Sequence, residues 1–146
     1  MLEQEVYNIK NEQEMSDFAT KIAKNSKIGD IFCLNGDLGA GKSFFARKFI
    51  NSLATKEIEV SSPTFNLLNI YEINDDLTIY HYDLYRIESE EELEELALRD
   101  AFINGITLIE WPKIAQNYLK KYINIDIEIK SQNHRLITMT PINQSF

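Results

Sequence analysis

Apolar residues recur along the chain at two different spacings, and each spacing predicts a different kind of element. Within residues 15–23 they recur every three or four positions, which predicts a helix with one face in the core. Asn11, followed by Glu14, is typical of the capping box that begins such a helix. The same spacing returns at residues 45–53, where we expect a second helix of roughly ten residues.

Short apolar runs between the helical segments predict buried strands. Residues 31–34 and 106–110 form two such runs, as expected of central strands covered on both faces. Weaker alternation predicts additional strands nearer the edges. These additional strands are residues 5–9, residues 65–71 and 77–83 joined by a turn at 74–76, and a C-terminal hairpin of residues 122–130 and 134–140.

One segment of the chain carries six glutamates within eight residues. Ser89, with Glu92 three residues later, predicts a capped helix in this segment, with Leu93, Leu96 and Ala97 facing inward. The glutamates are typical of a solvated helix face with acidic residues near its N-terminus. A docking surface for a basic partner is the alternative.

The order of these elements predicts a single three-layer α/β domain over residues 1–146, with Pro112 in the first turn of a last short helix. The composition, 44% hydrophobic and 26% charged, is typical of one folded domain. A net charge of −8 does not favour a broad surface for nucleic acid or anionic lipid. With one cysteine and no long apolar run, we expect a cytoplasmic protein without a membrane segment.

Three of the five glycines lie within residues 36–41. Residues 36–43, which we call the glycine-rich loop, read Gly-Asp-Leu-Gly-Ala-Gly-Lys-Ser and match the phosphate-binding pattern G-x-x-x-x-G-K-[ST] between a predicted strand and a predicted helix. Glycines let backbone N–H groups turn toward phosphate oxygens, and the helix N-terminus adds partial positive charge. Lys42 is expected to contact the terminal phosphates and the Ser43 hydroxyl to ligate Mg²⁺. A plain tight turn is the alternative, but it gives no reason for Lys-Ser at these positions.

Hydrolysis of a bound nucleotide also needs a carboxylate that holds the metal or orients a water. Asp83 and Glu110 each end a predicted strand, and ligands in open α/β sheets gather at the carboxyl ends of strands. Either carboxylate fits from the pattern alone, and each could instead be a helix cap or a surface charge. The loop with Ser61, Ser62 and Thr64 lies where such proteins sense the γ-phosphate, with a plain turn as the alternative.

Three other side chains near these positions each have a simpler interpretation. His81 lies inside a strand and is expected to be packed rather than to bind metal, because the sequence has no second His or Cys at metal-ligand spacing. Arg86 could neutralise phosphate charge or pair with a glutamate. Trp111 could form a wall of the nucleotide pocket or plug the edge of the core.

Four motifs in this order resemble the TsaE (YjeE) family, the ATPases of bacterial tRNA threonylcarbamoyladenosine synthesis, across nearly the whole chain. The resemblance implies a P-loop fold with a mainly parallel sheet and antiparallel additions, and weak ATPase activity with ATP and Mg²⁺. It also implies TsaB and TsaD as partners, which transfer threonylcarbamoyl to tRNA while the ATPase resets the complex and contacts tRNA only indirectly. The motifs are the glycine-rich loop, Ser-Pro-Thr-Phe at 62–65, His-Tyr-Asp-Leu-Tyr-Arg at 81–86 and Ile-Glu-Trp-Pro at 109–112.

The resemblance also implies roles for individual residues. Lys42 matches the phosphate-binding lysine, and Ser43 matches the Mg²⁺ hydroxyl. Glu110 matches the metal-linked acid, Asp83 a second essential acid and Thr64 the switch threonine. The residues expected to bind nucleotide are Gly36, Asp37, Leu38, Gly39, Ala40, Gly41, Lys42, Ser43, Phe44 and Trp111, with looser matches at Glu12 and Arg135.

Two other functions could use the same loop. A small-molecule kinase would transfer phosphate to a bound acceptor, although 146 residues leave little room for a lid and an acceptor pocket. A nucleotide-sensing binding module would scarcely hydrolyse its ligand. ATP is expected rather than GTP, because the sequence has no Asn-Lys-x-Asp segment. Lys113 and Ala97 depart from the family pattern, which affects partner contacts more than the chemistry.

Overall fold

The computed structural model describes residues 3–144, which form a seven-stranded sheet with helices on both faces. Apart from one 3-10 helix, the helical segments are α-helices. In chain order the elements are β1 (Glu5–Ile9), α1 (Glu12–Lys24), β2 (Ile31–Asn35), α2 (Lys42–Leu53), β3 (Leu68–Asn74), β4 (Leu77–Asp83), α3 (Glu90–Glu94), α4 (Leu98–Asn104), β5 (Ile106–Glu110), the 3-10 helix (Pro112–Tyr118), β6 (Lys121–Ile129) and β7 (Arg135–Asn143).

The strands lie in the order β1-β7-β6-β2-β5-β4-β3. The four central strands β6, β2, β5 and β4 are parallel, so the connections between them must cross over the sheet. β3 is antiparallel to β4 at one edge, and β7 and β1 continue the sheet antiparallel at the other. The predicted α/β fold, mainly parallel with antiparallel additions, is confirmed.

Helices α1 and α2 pack side by side on one face of the sheet. Aromatic rings connect the two helices to each other and to β2. The ring centres of Phe18 and Phe45 are 5.8 Å apart, and those of Phe49 and Phe32 are 5.4 Å apart. All four rings are buried, and burial of such large apolar side chains is the dominant stabilising contribution in a core of this kind. This packing holds α2 above β2 and thereby sets the position of the glycine-rich loop between them.

Both predicted capping boxes are present. The Asn11 side chain accepts a hydrogen bond from the Glu14 N–H at 2.9 Å, and the Glu14 carboxylate accepts one from the Lys10 N–H at 2.9 Å. Ser89 and Glu92 form the predicted capping box at the start of α3. Each cap satisfies N–H groups that have no partner within the helix.

The acidic helix is shorter than predicted, and the inward orientation of Ala97 is wrong. α3 ends at Glu94, Ala97 is exposed with a left-handed φ of 51°, and α4 begins at Leu98. In one straight helix Leu93 and Leu98 would lie about 140° apart around the axis, since each residue turns about 100°. The break at Ala97 therefore lets both leucines face the sheet, where both are buried.

Strand β3 begins three residues later than predicted, at Leu68. The Leu67 N–H donates a hydrogen bond to the Pro63 carbonyl, and Leu67 has a φ of 65°. This turn keeps Thr64 and Phe65 in the loop, where an extended strand would have carried them into the sheet. β4, β5 and the C-terminal hairpin lie close to their predicted positions.

The carboxyl ends of β2, β5 and β4 meet at one edge of the sheet. The glycine-rich loop follows β2, Glu110 ends β5 and Asp83 ends β4, so the predicted phosphate-binding loop and both predicted acids lie at this edge.

Within residues 3–144, no helix combines the length and apolar character that crossing a membrane requires.

Candidate functional site

The glycine-rich loop has the backbone conformations that its glycines predict. Gly41 precedes α2 with φ 112° and ψ 17°, a left-handed conformation that glycine adopts without Cβ strain. At Gly36 a Cβ atom would lie 2.7 Å from the Ile127 carbonyl oxygen and 2.9 Å from the Ala40 Cβ. A side chain at either position would therefore deform the loop.

Lys42 is the first residue of α2 and brings a positive charge to this loop. Its Nζ donates hydrogen bonds to the carbonyls of Gly36 and Asp37, the second at 3.1 Å, and lies 4.0 Å from the centre of the Trp111 ring. Burial lowers the pKa of the Lys42 ammonium below its ordinary value, and the attraction of nearby carboxylates offsets part of this effect. The cation is thus held against the loop that would receive phosphate.

Ser43 and Glu110 are in contact although they lie 67 residues apart in the sequence. The Ser43 hydroxyl donates to Glu110, with 3.0 Å to Oε1 and 3.3 Å to Oε2. A hydroxyl and a carboxylate at this separation fit Mg²⁺, which prefers oxygen ligands and completes its shell with phosphate oxygens and water. Within residues 3–144, no group of three or more His, Cys, Asp and Glu side chains could hold a metal ion.

His81 contacts the other side of the same carboxylate. Its Nε2 lies 2.7 Å from Glu110 Oε2, and both side chains are buried, with relative exposures of 1% and 2% for the two residues. The packing of His81 agrees with the sequence analysis, but the contact with Glu110 was missed. Once β4 and β5 are known to be neighbours, alternation along β4 indicates it, because His81 and Asp83 share a face and Asp83 is in register with Glu110.

Asp83 forms hydrogen bonds with the loop before β3 and with the residues that follow β4. The Thr64 hydroxyl donates to Asp83 Oδ2 at 3.1 Å, and the Ser62 hydroxyl lies 2.6 Å from Thr64 Oγ1. The Tyr85 N–H donates to Asp83 Oδ1 at 3.0 Å. The structure therefore brings the predicted switch threonine to a strand-end acid.

Aromatic side chains form the rim of the site. Trp111 has a left-handed φ of 56°, and its ring lies 4.8 Å from the Tyr85 ring and over the Lys42 ammonium. Of the two interpretations for Trp111, this position favours a wall beside the glycine-rich loop. The Arg86 guanidinium stacks on the exposed Phe65 ring at 4.8 Å, a contact that neither interpretation of Arg86 included.

Arg135 supports the glycine-rich loop from the C-terminal hairpin. Its guanidinium donates to the carbonyls of Ala40 at 2.9 Å and Gly39 at 3.2 Å. Glu12 is exposed in the first turn of α1, a helix that approaches the loop through Met15. Direct nucleotide contacts of Arg135 and Glu12 remain predictions.

The other residues predicted to bind nucleotide lie in or beside the loop. Asp37, Leu38 and Gly39 are exposed, with Leu38 at 70% of its full exposure. Phe44 is half-buried on α2, beside Arg47 and Lys48. Their positions leave the loop open on its outer side, and their contacts with a nucleotide also remain predictions.

At one edge of the sheet, these contacts combine a glycine-rich turn, an ammonium group, a hydroxyl–carboxylate pair and a second acid. Backbone N–H groups and a cation suit a polyphosphate, while the hydroxyl and carboxylates suit a divalent cation and a water molecule. Positioning and electrostatic stabilisation by such groups account for most of the catalysis in phosphoryl transfer.

Comparisons with known proteins agree with this architecture. The family model described as threonylcarbamoyl adenosine biosynthesis protein TsaE matches residues 9–137. Two curated proteins named tRNA threonylcarbamoyladenosine biosynthesis protein TsaE are close relatives: one from Rickettsia typhi is 42% identical over 97% of this chain and 98% of its own, and one from Bacillus subtilis is 36% identical over 93% and 85%.

A solved structure extends the similarity to three dimensions. The crystal structure of Bacillus subtilis YdiB matches with a TM-score of 0.80 and 29% sequence identity, covering 98% of this chain and 88% of that chain. The resemblance inferred from the four motifs is thereby confirmed. The chain belongs to the TsaE family of threonylcarbamoyl adenosine biosynthesis proteins.

Proposed function

We propose that this protein binds ATP with Mg²⁺ and hydrolyses it slowly, as an accessory enzyme of tRNA threonylcarbamoyladenosine biosynthesis that acts with TsaB and TsaD. The observation that carries the proposal is the 3.0 Å contact between the Ser43 hydroxyl and Glu110. It joins the first turn of the helix after the glycine-rich loop to a buried carboxylate, as a nucleotide-bound Mg²⁺ requires. Membership of the TsaE family supports the assignment to this pathway.

Binding depends on the glycine-rich loop. Its backbone N–H groups and the N-terminus of α2 receive the phosphate oxygens, and the Lys42 ammonium neutralises part of their charge. Trp111, beside Lys42, limits the space on one side of the loop. Arg135 holds the carbonyls of Gly39 and Ala40 and so keeps the loop in shape.

Hydrolysis adds a water molecule to the γ-phosphorus. The water oxygen forms the new P–O bond, the bond from the γ-phosphorus to the β–γ bridging oxygen breaks, and ADP and inorganic phosphate leave as the water gives up a proton. Mg²⁺, when bound, neutralises charge that develops on the phosphates. Glu110 and Ser43 would bind the metal ion. Asp83 and Thr64 orient the attacking water.

The Thr64–Asp83 contact supports a link between hydrolysis and partner proteins. Loss of the γ-phosphate removes a ligand from the loop around Thr64, and this change reaches the exposed side chains of Phe65 and Tyr85. TsaB and TsaD bind the surface that includes Phe65 and Tyr85. The change in this surface after hydrolysis resets their complex. A net charge of −8 does not favour a broad surface for nucleic acid, so contact with tRNA is local or is made through the partners.

The nucleotide-binding step is tested by calorimetry with ATP and Mg²⁺. Lys42→Ala is expected to remove most of the triphosphate affinity while the fold is retained, because the cation at the loop is lost. Lys56→Ala, which removes the same charge from an exposed residue after α2, is the matched control. Unchanged affinity in folded Lys42→Ala would contradict the proposed binding site.

The hydrolytic step is tested by measuring phosphate release with and without TsaB and TsaD. Release without an added acceptor, stimulated by the partners, is the expected result. Phosphate transfer only to an added small-molecule acceptor would instead indicate a kinase. Nucleotide binding with no release, even in single-turnover assays with partners, would indicate a nucleotide-sensing module.

A further inference from the structure

Two buried polar side chains from neighbouring strands meet behind the proposed metal site. His81 in β4 and Glu110 at the end of β5 have relative exposures of 1% and 2%, and their closest atoms lie 2.7 Å apart. A buried carboxylate is costly unless its oxygens accept hydrogen bonds. A hydrogen bond from the imidazole therefore lowers the free-energy cost of burying the Glu110 carboxylate.

The two oxygens of Glu110 have different closest neighbours. Oε2 lies 2.7 Å from His81 Nε2 and 3.3 Å from the Ser43 hydroxyl, whereas Oε1 lies 3.0 Å from the Ser43 hydroxyl. With one oxygen bound to a ring on a central strand, the carboxylate cannot rotate freely. The other oxygen is thereby directed toward Ser43 and the glycine-rich loop.

The surroundings of His81 also indicate which ring nitrogen carries the proton. An ionised carboxylate only accepts, so Nε2 is the donor to Glu110. The other nitrogen, Nδ1, is buried and has no hydrogen-bond partner within residues 3–144. The hydrogen bond to Glu110 therefore depends on a hydrogen at Nε2, and no described contact engages the ring through Nδ1.

We propose that His81 is a positioning residue that holds Glu110 through an Nε2–H hydrogen bond to Oε2 and directs Oε1 toward Ser43 and the proposed metal position; this inference rests on the proposed function of the site. Ring partners of this kind orient a metal-ligating group and typically change metal affinity about 10- to 100-fold when lost. In this proposal His81 acts through Glu110 and is not itself a ligand of the nucleotide or the metal.

The hydrogen bond is tested first in the unmodified protein. The chain has two histidines, so ¹⁵N nuclear magnetic resonance of the imidazole nitrogens is readily assigned with the help of His134→Gln. The expected spectrum shows a hydrogen on His81 Nε2. A ring whose only hydrogen is on Nδ1 would overturn the proposal, since Nε2 could not then donate to Glu110.

The positioning role is tested by two substitutions of similar size. His81→Gln places an amide donor near the position of Nε2, whereas His81→Met fills the same space without a donor. Binding of Mn²⁺, used in place of Mg²⁺, is measured by electron paramagnetic resonance on protein saturated with a non-hydrolysable ATP analogue. We expect His81→Met to weaken Mn²⁺ binding at least about tenfold and His81→Gln by less than about threefold.

A purely structural role predicts a different pattern. It would lower the thermal midpoint and the nucleotide affinity in EDTA for both variants, with no advantage for glutamine. Equal Mn²⁺ affinities in the two folded variants would overturn the proposal. If the protein bound no nucleotide, the proposed function would fail, while the imidazole spectrum would still decide whether His81 holds Glu110.

Discussion

Glu110 and Asp83 are adjacent acids at the ends of neighbouring strands, yet their partners differ in kind. They are in register across β5 and β4, and both are buried. Glu110 is bound by Ser43 at the start of α2 and by His81 within β4, which are both in regular elements. Asp83 is bound by a hydroxyl and an N–H that both belong to loops.

The difference shows how two similar side chains acquire separate roles. Residues in a packed helix and a central strand keep their positions, so Glu110 suits a metal whose geometry must stay constant. Loop residues change position at a lower free-energy cost. Asp83 and its loop partner Thr64 therefore suit a conformational step that depends on whether the γ-phosphate is bound. The following four substitutions test this separation.

Glu110→Gln is expected to have the largest effect. Removing the charge while keeping the shape should lower the rate of ATP hydrolysis about 100- to 1,000-fold and raise the Mg²⁺ concentration needed for half-maximal rate. Nucleotide affinity in EDTA should be retained. Steady-state hydrolysis over a Mg²⁺ titration measures both changes, and undiminished hydrolysis would leave Asp83 as the acting acid.

Asp83→Asn should slow hydrolysis by less, about 10- to 100-fold, because the charge and one of the two acceptor oxygens are lost without a change in the proposed metal ligands. The Mg²⁺ concentration for half-maximal rate should stay the same. The same titration measures it. A rise in that concentration matching the rise in Glu110→Gln would show that the two acids share the metal, which would remove the distinction.

Thr64→Ala should lower the hydrolysis rate about tenfold, since Asp83 loses the hydroxyl that donates to it. Thr64→Ser keeps the hydroxyl and is the matched control, expected to recover most of the rate. Hydrogen exchange of the loop, measured with and without ATP, should show weaker nucleotide-dependent protection in Thr64→Ala. Equal hydrolysis rates in Thr64→Ala and Thr64→Ser would show that the Thr64 hydroxyl has no role in hydrolysis.

Ser62→Ala should have the smallest effect, a reduction of about two- to fivefold, because Ser62 is exposed and its neutral hydroxyl reaches Asp83 only through Thr64. Single-turnover phosphate release measures it. A loss as large as that of Asp83→Asn would mean that Ser62 contacts the reacting groups itself.

Local sequence patterns were sufficient for the regular parts of the fold. The apolar stripe of α1 and the apolar runs of β2 and β5 predicted these elements close to their observed bounds. The spacing of apolar residues indicates directly whether one face or both faces of an element are buried. The errors fell at Ala97 and Leu67, residues with left-handed backbone conformations that no side-chain pattern indicates. Tertiary packing of Leu93 and Leu98 decided the break at the first of these.

The sequence by itself determined the glycine-rich loop, since glycines with a following lysine and serine are a local requirement of backbone geometry and charge. It also determined that Asp83 and Glu110 end strands, but not which of them contacts Ser43. The tertiary structure decided this: β5 lies directly beside β2, and β4 lies one strand further away. Strand order depends on packing between distant segments, so the partners of Ser43 and His81 are fixed only when the sheet assembles.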